Sequence, residues 1–398
     1  MPAIVILTTI TMKILHIVDS LSVNGRTILI QELTRNTNPS LEHLVITLMN
    51  TGALTHRFSE IGIEVHALNL YKPFRNLSQK RKTITRIFHF RPDVCLCWSG
   101  DANLISTIPR ILGIPVIWTL HNSTTQWKTA AALYGVRLAA ILSKFVPKKI
   151  ICCSNKTFEI YRDIHRFKAD KLQVITNGID IKRFQPNKDA RGKIRKQLGI
   201  SDNAIVISTA ARIASLGRRN QGDFKDIETL FKAAAIVCRH RQDASFLLFG
   251  LNLNYENEQL VGWLKAYDLQ NNVQLLGFQD DVPGLFAASD IFTLSSTSGE
   301  GLPISLLEAM ASGAIPVCTD SGDIRTVVDS AGFVVPQKDA AKLAEAILGI
   351  AKLNESQRAK YSKSAIEMVK NTYSIDLTTR QYIDVVAQAI GPSKKASC

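Results

Sequence analysis

Long apolar runs are missing from this sequence. None approaches the ~20 residues that a bilayer-spanning helix needs, so the reading excludes a transmembrane helix. Cysteine is sparse and poorly spaced for metal. Cys95 and Cys97 alternate within one strand-like run, Cys152 and Cys153 are adjacent in another, and neither pair has a second pair downstream at ligand spacing. Reduced, buried thiols of a cytosolic protein are the expectation. Aromatics are scarce around the basic segments, and no nucleic-acid-binding motif accompanies them, which argues against a nucleic-acid partner. There is no internal repeat, and no low-complexity tract beyond the tail Ser393–Cys398.

What remains is a globular composition: 46% hydrophobic and 21% charged residues over a length of 398, too long for one ordinary core. Two domains follow. Met1–Thr11 is apolar but lacks a positive leader and a cleavage site, so it reads as an upstream start or a frayed end. The net charge of +14 is uneven. Residues 1–196 carry 29 Lys and Arg against 12 Asp and Glu, whereas the remainder carries 19 against 22. A basic first half implies an anionic partner there.

Along the chain, buried strands alternate with helical spacing. Lys13–Ser20 is a strand, followed by a polar loop with Asn24-Gly25 and a helix from Thr27 to Arg35. Two basic amphipathic stretches follow. One runs from Lys72 through Gln79–Lys82 to Arg91, with Ile84, Ile87 and Phe88 as its apolar side; the other spans Lys128–Lys149, with Leu133, Val136, Leu138, Ile141 and Leu142 inward. Each reads as a solvated helix face or, for the first, as a membrane-surface helix. Pro115–Leu120 is a strand ending in His121, at a place where doubly wound sheets bind ligands. Pro186–Lys196 reads as a linker. Ala204–Ala210 then opens a second set of strands, ending in Arg212. A glycine-punctuated insertion separates it from Lys225 at the next helix start. Two such cations can converge on a diphosphate, and Arg218 or Arg219 are alternatives to Lys225. Gly250 suits close ligand approach. Asp281 before Val282-Pro283 is expected to cap the next helix rather than bind metal with Asp280.

The centre of the sequence is Ser298-Gly-Glu-Gly-Leu-Pro-Ile-Ser-Leu-Leu-Glu-Ala-Met-Ala-Ser-Gly313, preceded by the apolar run Ile291–Leu294. It reads as strand, tight loop and helix, with Pro303 in the first helical turn and Gly313 as the stop. A helix N-terminus there is an anion site. Glu300 sits at its mouth, and Glu308 lies eight residues on, so both carboxylates can face one cleft.

This stretch, with Ile315-Pro-Val317 after it, resembles the Glu-x7-Glu signature of the family-4 retaining glycosyltransferases of bacterial cell-surface polysaccharide synthesis. The resemblance implies an α/β fold of two Rossmann-like domains facing across a cleft, the GT-B architecture. It places an acceptor-side domain at 1–185, a nucleotide-sugar-binding domain at 186–374 and a C-terminal helix within 375–398 crossing back to the first. It implies a sugar passing from a nucleotide-diphosphate donor, a UDP-sugar or another NDP-sugar, to a glycan or polyprenyl-linked acceptor, without a metal. Glu300 and His121 would be the catalytic residues. Donor binding would fall to Arg212, Lys225, Glu308, Gly301, Leu302 and Pro303, to Gly277 and Phe278 near the base, and to Gly25 in the first loop. Asn177-Gly-Ile-Asp180 resembles the family's hinge. The basic first domain suggests a cytoplasmic protein held peripherally at an anionic membrane face. A nucleotide-sugar epimerase of the same fold, active on UDP-N-acetylglucosamine without acceptor, and a synthase with a soluble acceptor are the rival readings.

Overall fold

The computed structural model describes residues 12–37, 41–70, 77–125, 129–213, 224–298 and 300–391. The readings made above on Met1–Thr11, Lys72–Arg75, Lys128, Arg218, Arg219, Gly299 and Ser393–Cys398 lie outside those residues.

The first sheet contains β1 (Met12–Val18), β2 (Leu41–Thr47), β3 (Glu64–Ala67), β4 (Val94–Cys97), β5 (Val116–Leu120), β6 (Lys149–Cys152) and β7 (Leu172–Val174), in the order β3-β2-β1-β4-β5-β6-β7. The second contains β8 (Val206–Ala210), β9 (Ser245–Phe249), β10 (Val273–Gly277), β11 (Ile291–Leu294), β12 (Ile315–Thr319) and β13 (Phe333–Val335), in the order β10-β9-β8-β11-β12-β13. Every strand pairing within both sheets is parallel. Parallel strands need cover on both faces, which is why β4, β5 and β11 are buried end to end. Strand order reverses between β1 and β4 and again between β8 and β11, and ligands bind at such switch points. The molecule is the expected α/β pair of Rossmann-like domains.

The helices of the first half are α1 (Gly25–Arg35), α2 (Thr55–Ser59), α3 (Leu77–Phe90), α4 (Gly100–Ile105), α5 (Thr107–Ile111), α6 (Ala130–Leu142) and α7 (Asn155–Glu159). Those of the second are α8 (Lys188–Gln197), α9 (Ile227–His240), α10 (Glu258–Ala266), α11 (Pro283–Ala288), α12 (Ile304–Ala311), α13 (Ile324–Val328), α14 (Ala340–Lys352), α15 (Glu355–Thr372) and α16 (Ile375–Ile390). Side-chain oxygens of Asn24, Ser99, Thr129 and Ser154 accept the first free amides of α1, α4, α6 and α7, so the chain turns into helix where each strand ends.

Phe90, Ala102, Ala139 and Ala140 pack α3, α4 and α6 on one face of the first sheet. On the other face, Leu29, Ile30 and Leu33 of α1 meet Tyr382, Val385 and Val386 of α16, and this core continues into Phe286, Phe292 and Leu306 of the second domain. The crossing is built at Asn177–Asp180. Ile179 donates to Tyr373 O at 3.0 Å, and Ile375 donates to Ile179 O at 2.8 Å. A Cβ on Gly178 would lie 2.9 Å from the Ile375 backbone, so only glycine fits where the chain leaves the first domain beside its own return.

Five expectations need correction. Pro186–Lys196 is not an irregular linker: from Lys188 onward it is α8, capped by Asn187 and packed through buried Arg195. The helix expected over Lys128–Lys149 is α6 alone; Lys149 already belongs to β6. Its buried residues are Ala139 and Ala140, while Leu133, Leu138 and Ile141 are exposed, because small residues let the helix approach the sheet. Asp281 does not cap α11. Helix formation begins at Pro283, which puts Val282 at the cap, and Asp281, one residue too far out, faces Arg183 at 3.9 Å. Pro303 likewise precedes α12 as its cap residue instead of lying in its first turn.

Arg195 of α8, buried, donates to the carbonyls of Ala288, Asp202 and Ala204 and pairs with Asp290 at 2.8 Å. Truncation strands those acceptors. Arg195→Ala is predicted to lower the stability of the second domain by about 3 kcal/mol, measured by urea unfolding; a loss below about 1 kcal/mol would contradict this account.

Candidate active site

A cavity of about 1220 Å³ lies between the domains, lined from the first by Asp19, Gly25, Arg26, Trp98 and His121 and from the second by Arg212, Lys225, Glu300 and Glu308. These residues follow β1, β4, β5, β8 and β11, the strand ends at and beside the switch points.

The loop between β11 and α12 is tied to both domains. Glu300 Oε1 accepts from Lys225 Nζ and from Ser296 Oγ, the latter at 2.7 Å, within its own domain. Its backbone carbonyl accepts from Ser123 Oγ of the first domain, and Leu302 O accepts from Asn177 Nδ2 at 2.9 Å. A Cβ on Gly301 would lie 2.6 Å from Cys153 Sγ, so glycine is required where the loop passes the first domain. Asp323 adds a clasp, its two oxygens accepting from the amides of Asn155 and Lys156, each at 2.8 Å. Arg57 reaches across to the Asp280 carboxylate at 3.0 Å.

Glu300 precedes α12, so it and Glu308 do not share a helix as their spacing suggested; both nevertheless line one cavity. Glu308 is buried, and among the described residues no hydrogen bond reaches its carboxylate. Burial pushes it up to about 7; Glu32 adds to the rise, and Arg183 and Arg57 oppose it. A buried, unmatched acceptor facing a cavity suits a ligand's hydroxyl groups.

His121 is half-buried and stacks on Trp98, ring centroids 5.6 Å apart, and Nε2 lies 3.1 Å from Thr119 Oγ1. Burial, with the Arg26 charge, lowers it to about 3, so the imidazole is neutral near pH 7. It can orient a hydroxyl but is too weak a base to take up a proton efficiently there.

Arg212 is exposed on the cavity wall, and Lys225 lies just before α9, beside Ser295, whose hydroxyl donates to Lys225 O at 2.8 Å. Both cations, 13 residues apart in sequence, line the same interdomain cavity. Gly301, Leu302, Pro303, Gly25 and Phe278 line the cavity. Gly277 does not: its amide donates to Leu253 O and its carbonyl accepts from Gly250 N, both at 2.8 Å, and the cavity is reached from that turn by Phe278, Gln279 and Asp280 instead. Gly250 is explained by the Ala211 carbonyl, which occupies the place of a Cβ, in addition to any ligand. Among the described residues, no group of three or more His, Cys, Asp or Glu is placed to hold a metal ion.

Sequence reasoning missed Arg26, Arg57, Arg183 and Asp323. Arg26 pairs with Asp19 while its Nε is buried without a partner. Only its place directly after Gly25, in a loop at a strand end, could have marked it.

Comparison with known proteins completes the picture. Residues 25–183 match the model of Glycosyltransferase Family 4, and residues 191–368 that of Glycosyl transferases group 1. The chain is 24% identical over 314 residues to the Escherichia coli UDP-Gal:alpha-D-GlcNAc-diphosphoundecaprenol alpha-1,3-galactosyltransferase, covering 74% of this chain and 76% of that protein. It is 26% identical over 318 residues to the putative colanic acid biosynthesis glycosyltransferase WcaL of Escherichia coli K12, covering 73% and 70%. The fold matches HepE of Anabaena, solved with UDP and glucose, at a TM-score of 0.79 and 20% identity, over 94% of this chain and 99% of that one.

The raised Glu308 carboxyl has a stability signature. The folded protein holds the proton to about 7 while the unfolded carboxyl releases it near 4.5, so stability falls as pH rises between those values. Unliganded Glu308→Gln is predicted to exceed wild type above pH 7 by about 3 kcal/mol, with the difference vanishing below about pH 4.5. Urea unfolding across that range checks it; a difference independent of pH would contradict it.

Proposed function

This chain belongs to glycosyltransferase family 4, and on that premise we propose that it moves a hexose from a UDP-sugar, with retained anomeric configuration, to a hydroxyl of a lipid-linked glycan in cell-surface polysaccharide assembly. The observation that carries this is the convergence of two cations and two carboxylates on one interdomain cavity.

Departure of the nucleotide leaves negative charge on a diphosphate while positive charge develops at the sugar carbon. Arg212 and Lys225 stand where they can stabilise the leaving group, and the α12 N-terminus adds the positive end of its dipole. Without ligand, Lys225 is held by Glu300. Entry of the donor exchanges that partner: the ammonium turns to the phosphates, and the freed Glu300 carboxylate accepts the sugar's hydroxyls. Glu308 accepts the ribose hydroxyls, which supply the donors its buried carboxylate lacks. Neutral His121 and Gly25 form the wall toward the acceptor, with Arg26 beside them.

The donor base is supported by two relatives: the galactosyltransferase is named for UDP-Gal, and the HepE structure holds UDP. A lipid-linked acceptor is supported by the diphosphoundecaprenol in the first of those names and by the basic first half of this chain. No helix among the described residues is long and apolar enough to cross a membrane.

Thermal-shift measurements with UDP-, GDP- and ADP-sugars test the donor: UDP-sugar at about 100 times its Kd should add ~2.7 kcal/mol of stability and the others little. A shift with none would contradict the reading. Lys225→Ala is predicted to reduce kcat about 100- to 1000-fold, read in a coupled transfer assay; a loss under about threefold would remove Lys225 from the proposed role.

A further inference from the structure

The outer layer of the first domain carries large apolar side chains that are exposed among the described residues. On α5 and just after it, Ile108, Ile111 and Leu112 are 61%, 81% and 56% exposed. On α6, Tyr134, Leu138 and Ile141 recur at i, i+4 and i+7, and Phe145 in the following turn is 69% exposed. The opposite stripe of α6, Ala132, Gly135, Val136 and Ala139, lines the interdomain cavity. One helix thus walls the cleft with small residues and presents large ones outward.

Charge identifies the occupant. Between Asp101 and Glu159 the sequence contains no carboxylate side chain and seven Lys and Arg. Arg137, Lys144 and Lys148 are exposed around the apolar stripe. Lys171 Nζ donates to Lys144 O at 2.7 Å, with Arg110, Lys148 and Lys168 near enough to act on its charge. Asp170, 3.6 Å from Lys168, is the acidic exception in that cluster. The other basic helix, α3, covers the same sheet face and exposes Ile84 and Phe88, but its Arg86 is neutralised by a two-point pair with Glu64 at 2.8 and 3.0 Å. Apolar side chains flanked by unmatched cations fit a bilayer interface of anionic lipid, where the former enter the acyl boundary and the latter meet headgroups.

We propose that α5, α6 and the Lys144–Lys148 turn seat this protein on an anionic lipid surface, with α6 serving both as the seat and as the acceptor-side wall of the cleft. This rests on the reading of a lipid-linked acceptor given above. A helix is about 10 Å across, so an acceptor anchored in the bilayer needs to rise only past α6 to bring its head group to the cavity.

The test is sedimentation of the full chain with vesicles of phosphatidylcholine alone or of phosphatidylcholine with phosphatidylglycerol. Wild type should bind the anionic vesicles about tenfold or more tightly than the neutral ones, and less tightly as salt rises. Ile111→Ser/Ile141→Ser/Phe145→Ser should lose about tenfold or more of that binding, with UDP affinity and transfer to a short-chain soluble acceptor unchanged, and transfer to a long-chain acceptor in vesicles reduced. The proposal is overturned if the triple variant binds as wild type, if neutral and anionic vesicles bind equally, if only Ile84→Ser/Phe88→Ser loses binding, or if sedimentation velocity shows the face buried in a dimer that the triple variant disrupts. Absence of any UDP binding would instead overturn the functional reading, leaving the vesicle result to stand.

Discussion

The Glu300 carboxylate is held by Lys225 and Ser296 of its own domain, while its backbone is held by Ser123 of the other. The rest of the cleft depends on that double anchorage. The loop can be both a domain contact and a ligand site only because Gly301 lets it lie against Cys153, and because Asn177 and Asp323 secure it on either side. The position of the acidic side chain is therefore set by the closure of the two lobes. A shift of one domain moves the loop relative to Ser123, Cys153 and His121 of the other.

Electrostatically the cavity has two regions. Around Glu300 the charges are paired and can exchange partners when an anion enters. Around Glu308 they are buried and mismatched: Glu32 is also raised, chiefly by burial, and Arg57 and Arg183 lie near both carboxyls. The first arrangement suits a leaving group that gains charge, and the second suits neutral hydroxyls that need an acceptor. His121, neutral and stacked on Trp98, which in turn stacks on Tyr382 of the returning helix, is part of a rigid wall rather than a titrating group. The apolar outer face of α6 places that wall next to the surface from which a lipid-borne acceptor would come.

Local pattern carried the fold. Continuous apolar runs such as Val116–Leu120 and caps such as Asn24 and Ser154 mark strand and helix one after another, and parallel pairing follows from their alternation. The Glu300–Glu308 frame was legible because a strand, a glycine-rich loop and a helix are adjacent in sequence. Contacts across 125 to 177 residues were not: Asn177 to Leu302, Asp323 to Asn155 and Ser123 to Glu300 carry no local signature. Asp281 and the α6 leucines misled for the opposite reason. Each obeyed a local rule, capping or helical amphipathicity, that one residue of offset or a layer of alanines overrode.

The account centres on an exchange of partners at Lys225. A crystal structure of the protein with an intact UDP-sugar tests it most directly. The account predicts Lys225 Nζ and the Arg212 guanidinium on the diphosphate, Glu300 released to the sugar hydroxyls and Glu308 on the ribose. A diphosphate bound with the Lys225–Glu300 pair still closed, or a sugar lying away from Glu300, would contradict it.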